Sequence, residues 1–217
     1  MKSVFLLAFI AVSAVHLYAS YKQDKKLRAG TKVFILLSLL GWYCCSVERV
    51  SMLVVAALLT SWLGDVLLIP QGKKWFVFGG ISFMASHICF VLTYNANVRF
   101  ASLPLTAVIL AAIVYATAVC LVFRGLKAHL PKILFYPMFL YLLINGTMNC
   151  FAFYQLLSVP CLATAITFVG AMLFFASDSL LFYVRFKKDT RLKTHFPVMI
   201  TYILGEFLIV LGIIMLG

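Results

Sequence analysis

Residues 103–123 have the sequence LPLTAVILAAIVYATAVCLVF, a stretch without any charged side chain. A membrane-crossing helix needs about 20 mainly apolar residues, so this stretch is long enough to cross a bilayer. Similar runs fill the rest of the chain and predict one transmembrane domain over residues 1–217, with no extramembrane domain. The predicted spans are residues 3–20, 33–47, 50–69, 75–95, 103–123, 132–157, 161–184 and 196–216.

The composition supports a membrane protein. Of the 217 residues, 65% are hydrophobic and 11% are charged, whereas about a quarter of the residues in a soluble domain are charged. The runs are continuously apolar, unlike the alternating strands of a membrane barrel, and a helix satisfies its own backbone hydrogen bonds in lipid. The sequence therefore predicts an all-α bundle of eight transmembrane helices.

The distribution of basic residues predicts the orientation of the chain. The net charge is +12, and the odd-numbered connections between spans hold 15 of the 18 Lys and Arg residues, whereas the even-numbered ones hold only Arg49 and Arg99. The positive-inside rule then places the odd connections in the cytoplasm and both termini outside it. We interpret these clusters as topology signals and contacts for membrane lipids, not as a nucleic-acid surface. The short connections favour a bacterial plasma membrane.

The first apolar run also resembles a cleaved signal peptide, because Lys2 precedes it and the small residues Ser13 and Ala14 lie near its end. We favour a retained first helix, since the basic residues after that run outnumber the single leading lysine and hold its far end in the cytoplasm.

Three acidic residues lie inside predicted spans: Asp65, Asp178 and Glu206. A charge at the centre of a span costs about 2.5 to 3.5 kcal/mol on insertion scales, so such residues usually face a cavity and mark function. At about 1.5 Å per residue, Asp65 and Asp178 lie roughly 6 and 9 Å inside the cytoplasmic ends of their helices. Two carboxyls in one poorly solvated site favour a general acid beside a stabilising anion. The alternative is a polar clamp between helices.

Four other residues are predicted to support the aspartates. His87 and Glu206 lie near the midplane, where each suits either a proton relay or a buried polar contact, including one with the other. Ser61 and Ser82 lie at a depth that allows hydrogen bonds to the aspartates, although such serines also serve as contacts between helices. A metal site needs three or four ligands, which this pattern does not supply, so we expect neither metal nor cofactor.

Basic residues follow the two aspartate helices on the predicted cytoplasmic side: Lys73, Lys74, Arg185, Lys187 and Lys188. They serve either topology or the binding of a substrate phosphate, since Lys and Arg make charge-assisted bonds to phosphate oxygens. Tyr141, Asn145 and Asn149 share one face of the sixth span, where lining a cleft and packing explain them equally well.

An internal repeat is also suggested. Residues 65–68 (DVLL) correspond to residues 178–181 (DSLL), and residues 82–87 correspond to residues 201–206. Halves 1–100 and 101–217 would then form two parallel four-helix repeats. Shared apolar composition is the competing explanation.

At these residues the chain resembles the YhhN family of integral membrane proteins, the lysoplasmalogenases, which have eight predicted spans. The matching pieces are Ser61–Asp65, Phe83 with Ser86–His87, Gly170–Phe174 with Ser177–Asp178, and Tyr202–Gly205 before Phe207. Other members can carry histidine where this chain has Glu206. The resemblance implies a lysophospholipid substrate whose vinyl ether bond is hydrolysed to a fatty aldehyde and glycerophosphoethanolamine or glycerophosphocholine.

The acids suit that implied reaction. A vinyl ether is cleaved by protonation of its β-carbon, capture of the resulting oxocarbenium ion by water, and collapse of the hemiacetal, which requires an acid, an anion and a water molecule. One of Asp65 and Asp178 would donate the proton and the other would stabilise the cation, with the assignment open. Two rival functions are a proton-coupled transporter of a solute or lipid and an ester-cleaving lysophospholipid hydrolase. The oligomeric state is not predicted.

Overall fold

The computed structural model describes residues 1–70, 72–187 and 195–217. Within these ranges the chain forms eight α-helices and two single-turn 3-10 helices, without a strand, which confirms the predicted all-α fold. The helices are α1 (Lys2–Lys22), α2 (Lys25–Cys44), α3 (Met52–Leu67), α4 (Lys73–Asn95), α5 (Leu105–Lys127), α6 (Phe135–Ser158), α7 (Leu162–Phe186) and α8 (Phe196–Leu216).

Seven helices in the described part of the chain are long and apolar enough to cross a membrane, as expected of a multi-pass membrane protein. The exception is α3, which has 16 residues and is about 24 Å long at 1.5 Å per residue. That length is below the roughly 30 Å hydrocarbon thickness of a bilayer. The eighth crossing, the orientation of the termini and the repeat therefore stay predictions.

The second helix begins well before the predicted span. We expected that span to start at residue 33, with the preceding basic residues in a loop, but α2 begins at Lys25. Asp24 explains the early start, because its carboxylate accepts hydrogen bonds from the backbone N–H groups of Lys26 (3.0 Å) and Leu27 (3.1 Å). An aspartate in this position satisfies otherwise unpaired donors and stabilises the helix start. The basic residues 25–32 therefore lie on a helix.

Two antiparallel helix pairs form the most extensive contacts, α7 with α8 and α3 with α4. Glycine allows the close approach of α7 and α8, because a Cβ on Gly205 would lie 2.9 Å from the backbone nitrogen of Phe174. The Ser177 hydroxyl also donates to the Val198 carbonyl across this pair, at 2.9 Å. Between these two pairs, near the ends that carry the basic residues, lies the candidate site.

Candidate functional site

Asp65 of α3 and Asp178 of α7 line the same cavity, which has a volume of about 90 Å³. Only 1% of Asp65 and 4% of Asp178 is exposed. The structure thus brings together two acids that lie far apart in the sequence. Buried carboxylates need hydrogen-bond or ionic partners, and these partners differ between the two.

Asp65 is held by a cation and a tyrosine. The Lys32 ammonium lies 3.0 Å from Oδ1, and the Tyr202 hydroxyl donates to Oδ2 at 2.7 Å. Both carboxyl oxygens are therefore engaged, one of them by a positive charge. The Lys32 ammonium favours the ionised form of Asp65 against the effect of burial, because protonation would remove the ion pair.

Asp178 is held by neutral donors and a histidine. The Tyr141 hydroxyl (2.6 Å) and the Asn145 amide (2.7 Å) both donate to Oδ2. The His87 Nε2 atom lies 3.5 Å from the same oxygen. In the described part of the chain these contacts all use Oδ2, so Oδ1 is the oxygen available to carry a proton or meet a ligand.

The backbone fixes the tautomer of His87. Its Nδ1 atom is hydrogen-bonded to the Phe83 carbonyl, and a carbonyl oxygen only accepts, so Nδ1 carries hydrogen. A neutral His87 ring therefore presents the Nε2 lone pair to Asp178.

The two predicted serines do not contact the aspartates. Ser61 pairs with Ser86 at 2.8 Å between hydroxyl oxygens, and Ser82 donates to the Thr60 carbonyl at 2.7 Å. Both contacts join α3 to α4, so the two serine hydroxyls are used in packing these helices together. The hydrogen bonds to the aspartates that the sequence allowed for Ser61 and Ser82 are therefore not formed.

Glu206 lies apart from the cavity. The residue is fully buried and does not line the space around Asp65 and Asp178. Ser61 lies close to its carboxyl, but neither carboxyl oxygen has a hydrogen-bond partner among the described residues. The proposed pairing of Glu206 with His87 is therefore not formed.

A second, basic cavity of about 230 Å³ adjoins the carboxylate cavity. Arg28, Lys32, Leu68, Arg185 and His195 line both cavities. Burial, reinforced by the positive charges of Arg28, Lys32 and Arg185, lowers the pKa of His195 to about 4. His195 is therefore neutral at pH 7, and the positive charge of the cavity comes from Lys and Arg.

Among the residues that the structure describes, only one of those predicted to bind phosphate lines these cavities. Arg185 does so, and its guanidinium lies 4.4 Å above the Phe76 ring. Lys73 and Lys74 are exposed in the first turn of α4, and the Lys187 ammonium lies 5.9 Å from the Tyr183 ring centroid. None of these three lysines lines a cavity described above, and Lys188 lies outside the described residues.

An apolar groove of about 550 Å³ adjoins the carboxylate cavity on another side. It runs between α4 and α6 and reaches α7 through Leu181 and Phe182. At its outer edge Ile81 is 50% exposed and Tyr136 is 80% exposed, so the groove opens on the side of the bundle. The residues lining both the groove and the carboxylate cavity are Leu68, Phe76, Phe83 and Leu181.

Sequence reasoning missed Lys32 and Arg28, which it counted as topology signals. The helix-capping Asp24 eight residues before Lys32 was the available signal, because it predicts that the basic residues continue the second helix. Tyr202 was noted only as part of the family resemblance, and nothing in the sequence indicated its contact with Asp65. Within the described ranges, no group of three His, Cys, Asp or Glu residues is placed to hold a metal ion.

Fold and site together define a multi-pass helical membrane protein with two buried aspartates in a cavity between its helices. The chain belongs to the YhhN family, which it matches over residues 27–213, nearly its whole length. No curated protein and no solved structure shows significant similarity to it.

Proposed function

We propose that this protein hydrolyses the vinyl ether bond of alkenyl lysophospholipids to a fatty aldehyde and glycerophosphoethanolamine or glycerophosphocholine. One observation carries the proposal: the carboxylate cavity shares lining residues with an apolar groove on one side and a basic cavity on another. A lysophospholipid has the same order of parts, with an apolar tail, a reactive ether and an anionic headgroup. Family membership adds a hydrolase as the expected class.

The groove suits a single hydrocarbon tail. Its volume of about 550 Å³ falls within the range of about 300 to 1,000 Å³ that is usual for ligand pockets. Gly80 contributes to its wall, and a Cβ added there would meet no atom within 4 Å. A tail entering from the bilayer past Ile81 would bring its ether end toward Phe83 and Leu181, which also line the carboxylate cavity.

We assign Asp178 as the proton donor. Its partners Tyr141 and Asn145 are neutral, and no described lysine pairs with it as Lys32 pairs with Asp65. A protonated Oδ1 would deliver its proton to the β-carbon of the vinyl ether, which leaves an oxocarbenium ion at the adjacent carbon. His87, whose Nε2 faces Asp178, would return a proton to Asp178 after each turnover.

We assign Asp65 as the stabilising anion. Its ion pair with Lys32 favours the ionised state, and a fixed negative charge lowers the energy of the oxocarbenium ion more than that of the neutral ether. The same carboxylate would orient the water molecule that adds to this carbon. The water molecule loses a proton to the Nε2 lone pair of His87, which passes it to the Asp178 carboxylate, and the product is a hemiacetal. Transfer of the hemiacetal hydroxyl proton to the glycerol oxygen, with breakage of the bond between that oxygen and the carbon, releases the aldehyde and the glycerol hydroxyl.

The test combines product analysis with isotope labelling. Purified protein is incubated with alkenyl lysophosphatidylethanolamine, and fatty aldehyde is measured by mass spectrometry for wild type, Asp65→Asn and Asp178→Asn. We expect aldehyde from wild type and at least a 100-fold lower rate from either variant, in the range usual for loss of acid catalysis. In D2O the aldehyde formed should carry one deuterium on the carbon next to the carbonyl.

Other products would contradict the proposal. Free fatty acid from an acyl lysophospholipid without aldehyde from the ether substrate would indicate an ester hydrolase. Lipid or solute flux into sealed vesicles without chemical change would indicate a transporter. Retention of the wild-type rate by both asparagine variants would overturn the assignment of the two aspartates.

A further inference from the structure

The basic cavity has the features of a site for an oxyanion. Lys25, Arg28, Lys32 and Arg185 contribute four positive charges to its lining. Among the described residues that line it, none carries a carboxylate. Lys32 is paired with Asp65 at the boundary with the neighbouring cavity, which leaves three cations without a carboxylate partner among the described residues.

Two buried nitrogens at this cavity lack hydrogen-bond partners among the described residues: Arg28 Nε and His16 Nε2. His16 is only 1% exposed although it lines the cavity. Its other ring nitrogen, Nδ1, contacts the Thr31 hydroxyl at 2.8 Å. A buried polar group without a partner costs free energy, so these atoms indicate that a polar ligand completes the site.

The ring of His16 is set to accept a hydrogen bond. The Thr31 hydroxyl donates its hydrogen to the Leu27 carbonyl at 2.7 Å, so His16 Nδ1 must donate to the Thr31 oxygen. A neutral His16 ring then has a free lone pair on Nε2. A hydroxyl group beside an anion, as on a glycerol carbon, supplies the matching donor.

We propose that this cavity binds the phosphate of a glycerophosphate group through Arg28 and Arg185, with His16 accepting from the adjacent hydroxyl, and does not recognise a headgroup amine. The link to a lipid substrate rests on the proposed function; the phosphate site itself does not. An arginine guanidinium suits phosphate because it offers several charged N–H donors in one plane. An ammonium group has no anionic partner among the described residues that line the cavity, so we expect ethanolamine and choline to project into solvent.

The first test compares ligands on wild-type protein in a neutral detergent. Saturated 1-O-alkyl lysophospholipids are suitable probes because they lack the vinyl ether and cannot be turned over. We expect the dissociation constants of alkyl lysophosphatidylethanolamine and alkyl lysophosphatidylcholine to lie within threefold of each other. Alkyl lysophosphatidic acid should bind as tightly as these two or more tightly. Each should bind at least tenfold tighter than 1-O-alkylglycerol. Equal binding of the alkylglycerol, or a tenfold preference for either amine-bearing headgroup, would overturn the proposal.

A second arm separates a lipid headgroup from a free phosphate ester. If the cavity itself recognises phosphate, sn-glycerol 3-phosphate should compete with the bound alkyl lipid at millimolar concentration, whereas glycerol should not. Competition by inorganic phosphate as strong as that by glycerol 3-phosphate would remove the role of the hydroxyl and of His16. Absence of competition by either phosphate would contradict the site.

The third arm uses matched charge variants. Arg28→Gln and Arg185→Gln should each weaken binding of alkyl lysophosphatidic acid about tenfold and leave alkylglycerol binding unchanged. Lys73→Gln, which removes the same charge from an exposed residue outside the cavity, should bind like wild type. Equal losses in all three variants would show a general charge effect and overturn the site. Arg28→Lys and Arg185→Lys should bind alkyl lysophosphatidic acid more tightly than the glutamine variants do. If both lysine variants melt like wild type but bind no more tightly than the glutamine variants, that result would contradict the phosphate site.

These outcomes are distinguishable from those of the activity assay. Phosphate-dependent binding without aldehyde formation would support this site and contradict the proposed hydrolysis. Aldehyde formation with an unchanged KM in both glutamine variants would support the hydrolysis and contradict this site.

Discussion

Tyr202 of α8 donates a 2.7 Å hydrogen bond to Asp65 of α3, across 137 residues of sequence. Tyr141 of α6 makes the corresponding contact with Asp178 of α7 at 2.6 Å. Each aspartate is therefore positioned by a tyrosine from another helix. The two acids have similar tyrosine partners and differ chiefly in the lysine beside Asp65 and the histidine beside Asp178.

Removal of the Tyr202 hydroxyl should lower activity without unfolding the protein. In Tyr202→Phe the ring keeps its edge contacts with Phe83 and Phe174, while Asp65 loses a hydrogen bond worth about 1.5 to 3 kcal/mol to a charged group. We expect kcat/KM for aldehyde release to fall roughly tenfold or more. Tyr18→Phe, at a position 60% exposed, is the control. An unchanged rate in Tyr202→Phe would show that this hydrogen bond does not position Asp65 for catalysis.

Loss of Lys32 should destabilise the protein through Asp65. Lys32→Met leaves a buried carboxylate without its cation. A fully buried pair broken in this way costs about 3 to 5 kcal/mol. Because the Lys32 side chain is 17% exposed, we expect the free energy of unfolding to fall by less, about 1 to 3 kcal/mol. Adding Asp65→Asn to Lys32→Met should recover much of that loss. The free energies of unfolding of the two single variants and the double variant form the cycle that measures the coupling. Additive losses would mean that the two residues are not coupled.

Narrowing the apolar groove should shorten the tail that the protein accepts. The Cβ position of Gly80 is open, and the residue lines the groove, so Gly80→Leu fills the groove without displacing the backbone. We expect kcat/KM for a 16-carbon alkenyl substrate to fall about 10- to 200-fold, the usual effect of a few methylenes in a pocket, and that for an 8-carbon substrate to change little. Gly80→Ala is the matched control. Equal losses for both substrates would place the tail elsewhere.

Stability should rise with pH between about 4 and 6.5 because of His195. The folded state holds the pKa of His195 at about 4, below its ordinary value of 6.5, so in this interval the unfolded chain binds a proton that the folded protein does not. The contribution of neutral His195 to the free energy of unfolding is complete above pH 6.5 and is lost as the pH falls toward 4, because the unfolded chain then gains a proton on this residue. As the pH falls from 7.5 to 4.5, the melting temperature of wild type should fall relative to that of His195→Gln, which lacks the titrating group. Parallel curves would contradict the low pKa.

The aspartates could be predicted from the sequence because a carboxylate in an apolar span costs free energy unless polar or charged partners surround it. The same reasoning identified His87. It did not identify Lys32, because a lysine beside a span is fully explained by topology. It did not identify the contact of Tyr202 with Asp65 either, because the sequence does not show which partner a buried tyrosine hydroxyl has. The order of groove, acids and basic cavity depends on how α2, α4 and α6 surround α3 and α7. That arrangement leaves no trace in the spacing of residues along one chain.

The dependence of Asp65 on α8 also affects how the protein is made. A ribosome that has reached the end of α7 has synthesised both acids, but neither Tyr202 nor the Val198 carbonyl that receives the Ser177 hydroxyl exists yet. Asp65 gains its tyrosine partner only when α8 enters the membrane and packs against α7. Under the proposed function, a nascent chain that lacks α8 is therefore expected to be catalytically silent.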